Sequence, residues 1–160
     1  MNKSYSILEV TRMAINIEMQ GVEYYKKAAE ISSSESIKAV FNILSEQEKS
    51  HAAMFTNLYD VLKDIGKAND DYLFDDTVSR YFEALTEEQV FKSHELQKAI
   101  DIKTPKEAVE EGLKAEKNSI LFYHEIMKHM DSEEVKGILQ LIIDEEKKHI
   151  VDLTVLAKTL

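Results

Sequence analysis

Glutamate and histidine recur three residues apart at two places in the chain, Glu48 with His51 and Glu146 with His149. On a helix this Glu-x-x-His spacing sets a carboxylate and an imidazole on one face, a turn apart. Both can then donate to a metal ion through oxygen and nitrogen. One such word is common on any acidic, solvated helix and means little. These two lie on apolar stripes, Glu48 and His51 between Leu44 and Phe55, Glu146 and His149 between Ile142 and Leu153. Ionisable groups on a core stripe are expensive unless they are paired or bind metal. From position 48 to position 146 is 98 residues, and the same 98 relates Glu18 to Glu116, Tyr25 to Tyr123, Lys49 to Lys147, Thr56 to Thr154 and Leu58 to Leu156. The two halves therefore read as an internal repeat.

The candidate ligand set is Glu18, Glu48, His51, Glu116, Glu146 and His149. Four carboxylates carry four negative charges and two divalent cations carry four positive ones, so a filled site with neutral imidazoles is balanced. Oxygen and imidazole donors suit iron or manganese. One Glu from each of two helices, with Glu-x-x-His from each of two more, is the ligand plan of di-iron carboxylate bundles. The competing reading is a metal-free polar layer of Glu–His hydrogen bonds within a helical bundle.

Such a site needs long helices to carry it, and the composition supplies them. The chain has 160 residues, 44% hydrophobic and 31% charged, with 4 Gly, 1 Pro and no Cys. That length fits one domain, residues 1–160, and the scarcity of turn residues argues for an all-α fold. Helices are expected over about 5–31, 35–65, 105–130 and 132–160, paired by short turns into two antiparallel hairpins of about 5–65 and 105–160. Starts are read at Ser32/Glu35, Thr104/Glu107 and Asp131/Glu134, each a short oxygen side chain followed three residues later by Glu. Gly66 is expected to cap the second helix. Residues 66–104 read as a long structured crossover, with a short helix from Thr86 to Ala99.

The same composition excludes several functions. Without cysteine there is no disulfide, thiol catalysis or Cys-bound iron. Twenty basic against 30 acidic residues leave a net charge of −10, which makes nucleic acid an improbable partner. No apolar run approaches the roughly 20 residues of a membrane span, and no signal-peptide pattern opens the chain. The expectation is a cytoplasmic protein with no membrane or nucleic-acid partner.

With these residues in hand, the sequence resembles the ferritin-like di-iron carboxylate proteins, and most of all the rubrerythrin di-iron domain in a stand-alone form. The resemblance rests on Glu18 in AINIEMQGVEYYKKAAE, Glu48 and His51 in LSEQEKSHAAMF, Glu116 in GLKAEKNSILFYHEI, and Glu146 and His149 in IIDEEKKHIVDL. It implies a ferritin-like four-helix bundle holding two iron ions, or another divalent metal. It implies Glu18 and His51 on one iron, Glu116 and His149 on the other, and Glu48 and Glu146 bridging. It also implies a homodimer; exchange of hairpins between two chains stays open.

Two departures refine this. Rubrerythrins proper carry a Cys-bound iron domain, so here electrons are expected from an external donor protein. They also carry an extra Glu three residues beyond the third-helix ligand, where this chain has Ser119. The bacterioferritin position for a haem-binding Met is Lys49, so no haem is expected. Small residues at Gly21 and Ser119 would leave an open face beside the metals, with both histidines bound in either redox state.

Tyr25 and Tyr123 lie two turns from Glu18 and Glu116 on the same faces. Each could hydrogen-bond a bridging Glu of the opposite hairpin or relay an electron, and the plainer reading is a core aromatic with a satisfied hydroxyl. His94, His124 and His129 have no partner at ligand spacing and read as surface. The leading functional expectation is a di-iron oxidoreductase reducing hydrogen peroxide with an external donor. The alternatives are a ferroxidase or iron-handling protein that oxidises Fe(II) with dioxygen, and a non-enzymatic, metal-stabilised interaction module.

Overall fold

The computed structural model describes residues 5–64, 74–87 and 100–160. Among them are five helices, α1 (Ile7–Ile31), α2 (Glu35–Asp64), α3 (Asp76–Glu87), α4 (Pro105–Lys128) and α5 (Glu133–Ala157), and no strand. None is long and apolar enough to cross a membrane.

Local chemistry sets the helix ends. Ser6 and Glu9 form a reciprocal capping box at the start of α1, a signal the sequence reading passed over. Thr104 caps α4 as expected, accepting from the Glu107 amide, with Pro105 in the first turn. The other two helices start where expected, at Glu35 and Glu133, but with different capping residues. Ser32 ends α1 instead of opening α2, its hydroxyl donating to the Ala28 carbonyl. Ser132, not Asp131, caps α5. In both places neighbouring short polar residues compete for the cap, and the helix register decides between them.

The long helices pack as two hairpins, α1 with α2 and α4 with α5, joined through α1–α4 and α2–α5 contacts. Their stripes fill one core, including Phe41, Leu44, Phe55, Phe122, Leu139 and Ile142, all fully buried. Each such side chain contributes roughly 1.5–3 kcal/mol, so the apolar layers hold the helices in place around whatever polar layer lies between them. The pairs that meet show the directions: Tyr25 reaches Glu116 while Tyr123 reaches Glu18, so α1 and α4 run antiparallel.

The crossover holds the main difference from expectation. The helix found there, α3, begins ten residues before Thr86, and Thr86 lies in its last turn, donating to the Phe82 and Glu83 carbonyls. Asp75 starts it, accepting from the Val78 amide. The apolar spacing of Val78, Phe82 and Leu85 is a helical stripe in its own right. Phe82 packs on Phe122 and Phe74 with ring centroids 4.8 and 5.0 Å away. Tyr5 binds Ser79 and Glu83, tying α1 to α3. The expected cap at Gly66 and the segment from 88 to 99 lie outside the described residues.

Candidate metal centre

Four helices each contribute to one polar layer. Glu18 comes from α1, Glu48 and His51 from α2, Glu116 from α4, and Glu146 and His149 from α5. All six side chains are 0–1% exposed. In each Glu-x-x-His pair the two residues share a helix face, and the apolar neighbours on that face turn it inward. The six sequence-derived residues are thus brought together.

They form two overlapping groups. One joins Glu18, Glu48, His51 and Glu146; the other joins Glu48, Glu116, Glu146 and His149, with donor atoms in each group within 4.8 Å of one another. Glu48 and Glu146 belong to both. The Nδ1 atom of His51 lies 3.0 Å from Glu146, 3.4 Å from Glu18 and 3.8 Å from Glu48. The Nδ1 atom of His149 lies 2.9 Å from Glu146, 3.2 Å from Glu48 and 3.5 Å from Glu116. The two imidazoles stack with centroids 5.4 Å apart.

Four buried carboxylates at this spacing repel, and the protons they hold reflect it. Burial, then the charges of Glu146, Glu116 and Glu18, raises Glu48 well above the usual carboxylate range. Burial with Glu116 and Glu18 pushes Glu146 up to about 8. For Glu116, burial also pushes upward, but the bond and charge of His149, with further bonds from Glu146 and Tyr25, bring it below the usual value. Burial lowers His149, yet the acceptors Glu116, Glu146 and Glu48 outweigh it and push it up to about 12. His51 is raised by the same balance, with Glu146, Glu18 and Glu48 around it. In the metal-free chain, protons therefore do the work of cations.

Even so, the layer is not satisfied internally. Glu18 Oε2, Glu48 Oε1, both Glu146 oxygens and the Nδ1 atoms of His51 and His149 are buried, and although they stand at ion-pair distance from one another none is joined by a well-directed hydrogen bond. Buried polar atoms without partners are rare and need a reason. These point inward in two sets of oxygen and imidazole donors, the set that divalent iron or manganese prefers. The residues present fit two such cations. A self-contained Glu–His layer would instead aim its N–H groups at these oxygens.

Tyr25 and Tyr123 reach across to the opposite hairpin, as anticipated, but to different carboxylates. Tyr25 donates to Glu116 and Tyr123 to Glu18, the glutamates belonging to one group each, and not to the shared Glu48 and Glu146. Two helical turns of offset on antiparallel α1 and α4 bring each hydroxyl level with the other helix's Glu. Burial, then the charge of the bonded glutamate, raises both tyrosines well above the ordinary value, so they stay donors. Gly112 makes room for one of them: a Cβ there would stand 3.2 Å from the Tyr25 hydroxyl. Ser119 and Gly21 are both buried, and the Ser119 hydroxyl has no hydrogen-bond partner.

Other sequence readings change on folding. His124 is exposed, whereas His129 is half-buried, bonded to Glu125 at 3.0 Å and packed against Phe74. His94 lies outside the described residues. Tyr24, buried in the core, donates to the Ala108 carbonyl. Asp75 caps α3 and Asp76 pairs with Arg80. One residue near the centre was missed altogether: Glu145 bonds His51 Nε2 at 2.7 Å. Its signal was present, since it directly precedes Glu146.

A family model described as Rubrerythrin matches residues 9–157. Two solved structures share the fold. A chain from Thermotoga maritima described as a ferritin-like diiron-carboxylate protein superposes with a TM-score of 0.75 at 23% identity, covering 99% of this chain and 98% of that one. A hypothetical protein from Pyrococcus furiosus superposes with a TM-score of 0.70 at 25% identity, covering 96% of this chain and 89% of that one. No curated protein sequence matches at a significant level.

Proposed function

This chain belongs to the rubrerythrin family, and on that premise we propose that it is a non-haem di-iron oxidoreductase that reduces hydrogen peroxide with electrons from an external donor. The observation that carries the reading is the pair of donor groups sharing Glu48 and Glu146, with unpartnered atoms facing inward. Glu18 and His51 would hold one iron, Glu116 and His149 the other, and Glu48 and Glu146 both. Bound there, two irons supply two electrons to an O–O bond. The overall reaction takes hydrogen peroxide, two protons and two electrons to two waters.

The chain's own groups prepare that chemistry. Tyr25 and Tyr123 each occupy one oxygen of a terminal glutamate and leave the other for metal. They act as positioning residues, and their firmly held protons keep those bonds in place. Phe41, Phe55 and Phe122 around the layer keep bulk water out, which strengthens every charge interaction inside. The small side chains at Gly21 and Ser119 would be the place for a molecule the size of peroxide to approach. The protein would act in the cytoplasm as a dimer.

The test is metal analysis of aerobically purified protein, followed by peroxide consumption by the iron-loaded form with a chemical reductant. About two irons per chain and steady peroxide turnover support the reading. Oxidation of Fe(II) in large excess without peroxide turnover would replace it with ferroxidase function. Iron that neither turns over peroxide nor oxidises further Fe(II) would leave a structural metal site.

A further inference from the structure

We propose that the two metal positions are inequivalent, the Glu18/His51 position binding a divalent cation more tightly than the Glu116/His149 position, because the residues preceding the two shared glutamates are a carboxylate, Glu145, and an amide, Gln47. This rests on the two-metal reading above.

His51 turns Nδ1 toward the carboxylates and Nε2 outward to Glu145, 2.7 Å away. That bond holds a ring proton on Nε2, so Nδ1 is the nitrogen that can offer its lone pair to a metal once its own proton is displaced. A negatively charged acceptor behind the ring also makes it a stronger donor, and it fixes the ring's orientation. Glu145 can play this part at modest expense because its side chain is 45% exposed and keeps some hydration while it bonds the buried ring.

The second hairpin's imidazole has no such support. Stepping back 98 positions from Glu145 leads to Gln47, as stepping back from Glu146 leads to Glu48. His149 Nε2 is buried with no hydrogen-bond partner, and so is Gln47 Oε1. A neutral amide could at best accept a weaker bond than a carboxylate, since charge-assisted hydrogen bonds are roughly twice as strong. Otherwise the positions match. Each has one terminal Glu, one His and the shared pair, and each terminal Glu accepts a tyrosine bond from the opposite hairpin. The departure from the repeat at positions 47 and 145 is the one that falls on the outer nitrogens of the two imidazoles. Glu145 and Gln47 are positioning residues that act through His51 and His149.

The test is titration of metal-free protein with Co(II) alone, followed by calorimetry, with a crystal structure at one equivalent. Wild type should bind in two steps, with the first cobalt at Glu18/His51. Glu145→Gln should weaken the tighter step by roughly 10–100-fold, the range usual for loss of a ligand's outer partner. Gln47→Glu should tighten the weaker step. The double swap should move the first cobalt to Glu116/His149. Two equal affinities in wild type, or a first cobalt at Glu116/His149, would overturn the inference while leaving the two-metal reading standing. Failure of wild type to bind Co(II) at all would overturn both.

Discussion

The hairpin of α1 and α2 and the hairpin of α4 and α5 bring the same side chains to the centre, Glu, Glu and His from each, and surround them differently. Tyr25 lies against Gly112, whereas the position equivalent to Gly112 in the first hairpin is Ala14. Ser119 stands where the first hairpin has Gly21, and Glu145 stands where it has Gln47. The shared features are those that must meet at one point in space: ligands, tyrosines and the apolar positions beside them. The differences lie one contact further out. Repetition sets where the donors are, and departures from it set how firmly each donor is held.

The largest effect should separate the shared carboxylates from the unshared ones. Glu48→Ala or Glu146→Ala should weaken metal at both positions by more than the roughly 10–100-fold typical of an outer partner. Glu18→Ala or Glu116→Ala should empty chiefly one position. Metal analysis after dialysis reads this directly, and equal losses from all four variants would sink the bridging assignment.

Protonation provides the next contrast. Glu146 sits at about 8 in the folded chain against an ordinary 4.5, and His149 at about 12 against 6.5. Both are raised, so the folded metal-free chain holds protons that the unfolded chain releases. The stability they contribute is complete below the ordinary values and is lost as pH rises, from about 4.5 to 8 for Glu146 and from 6.5 upward for His149. Glu116 is lowered, so its opposite contribution is felt only below its ordinary 4.5. Metal-free protein should therefore melt at lower temperature at pH 9 than at pH 6. Metal displaces these protons, so its stabilising effect should grow over the same range. Melting curves that are flat in pH without metal would contradict the buried proton-sharing layer.

Removing one tyrosine hydroxyl tests whether the hairpins are alike at that level. Tyr25→Phe and Tyr123→Phe should each destabilise the chain by about 1.5–3 kcal/mol, the value of a bond to a charged group. Chemical denaturation should give similar losses for both. A loss confined to one variant would mean that the hairpins already diverge at the tyrosines.

The smallest effect belongs to Gly112→Ala. Better helix propensity stabilises by up to about 1 kcal/mol, but the new Cβ would press on the Tyr25 hydroxyl at 3.2 Å and Leu153 Cδ1 at 3.3 Å. A net loss below about 2 kcal/mol is expected, and it should shrink in a Tyr25→Phe background, where the hydroxyl is gone. A loss unchanged in that background would place the crowding elsewhere.

Much of this was legible because helical period and repetition are local properties of the chain. The stripe through Leu44, Glu48, His51 and Phe55 marks a buried face from spacing alone. A second copy 98 residues later makes chance a poor explanation. Thr104 and Pro105 announce the start of α4 for equally local reasons. The crossover was harder to read: Thr86 can open a helix or sit in its last turn, and only the packing of Phe82 on Phe122 selects the second.

By itself, then, the sequence determined four long amphipathic helices, their pairing in two hairpins and the six residues of the polar layer, since each follows from period, caps and repeat. Tertiary structure alone decided which groups meet across the hairpins. It sent Tyr25 to Glu116 and Tyr123 to Glu18, and it set Glu145 behind His51 while His149 Nε2 kept no partner. Those outcomes depend on the rotation and relative height of antiparallel helices. These are set by how whole apolar faces interlock, which no spacing within one helix records.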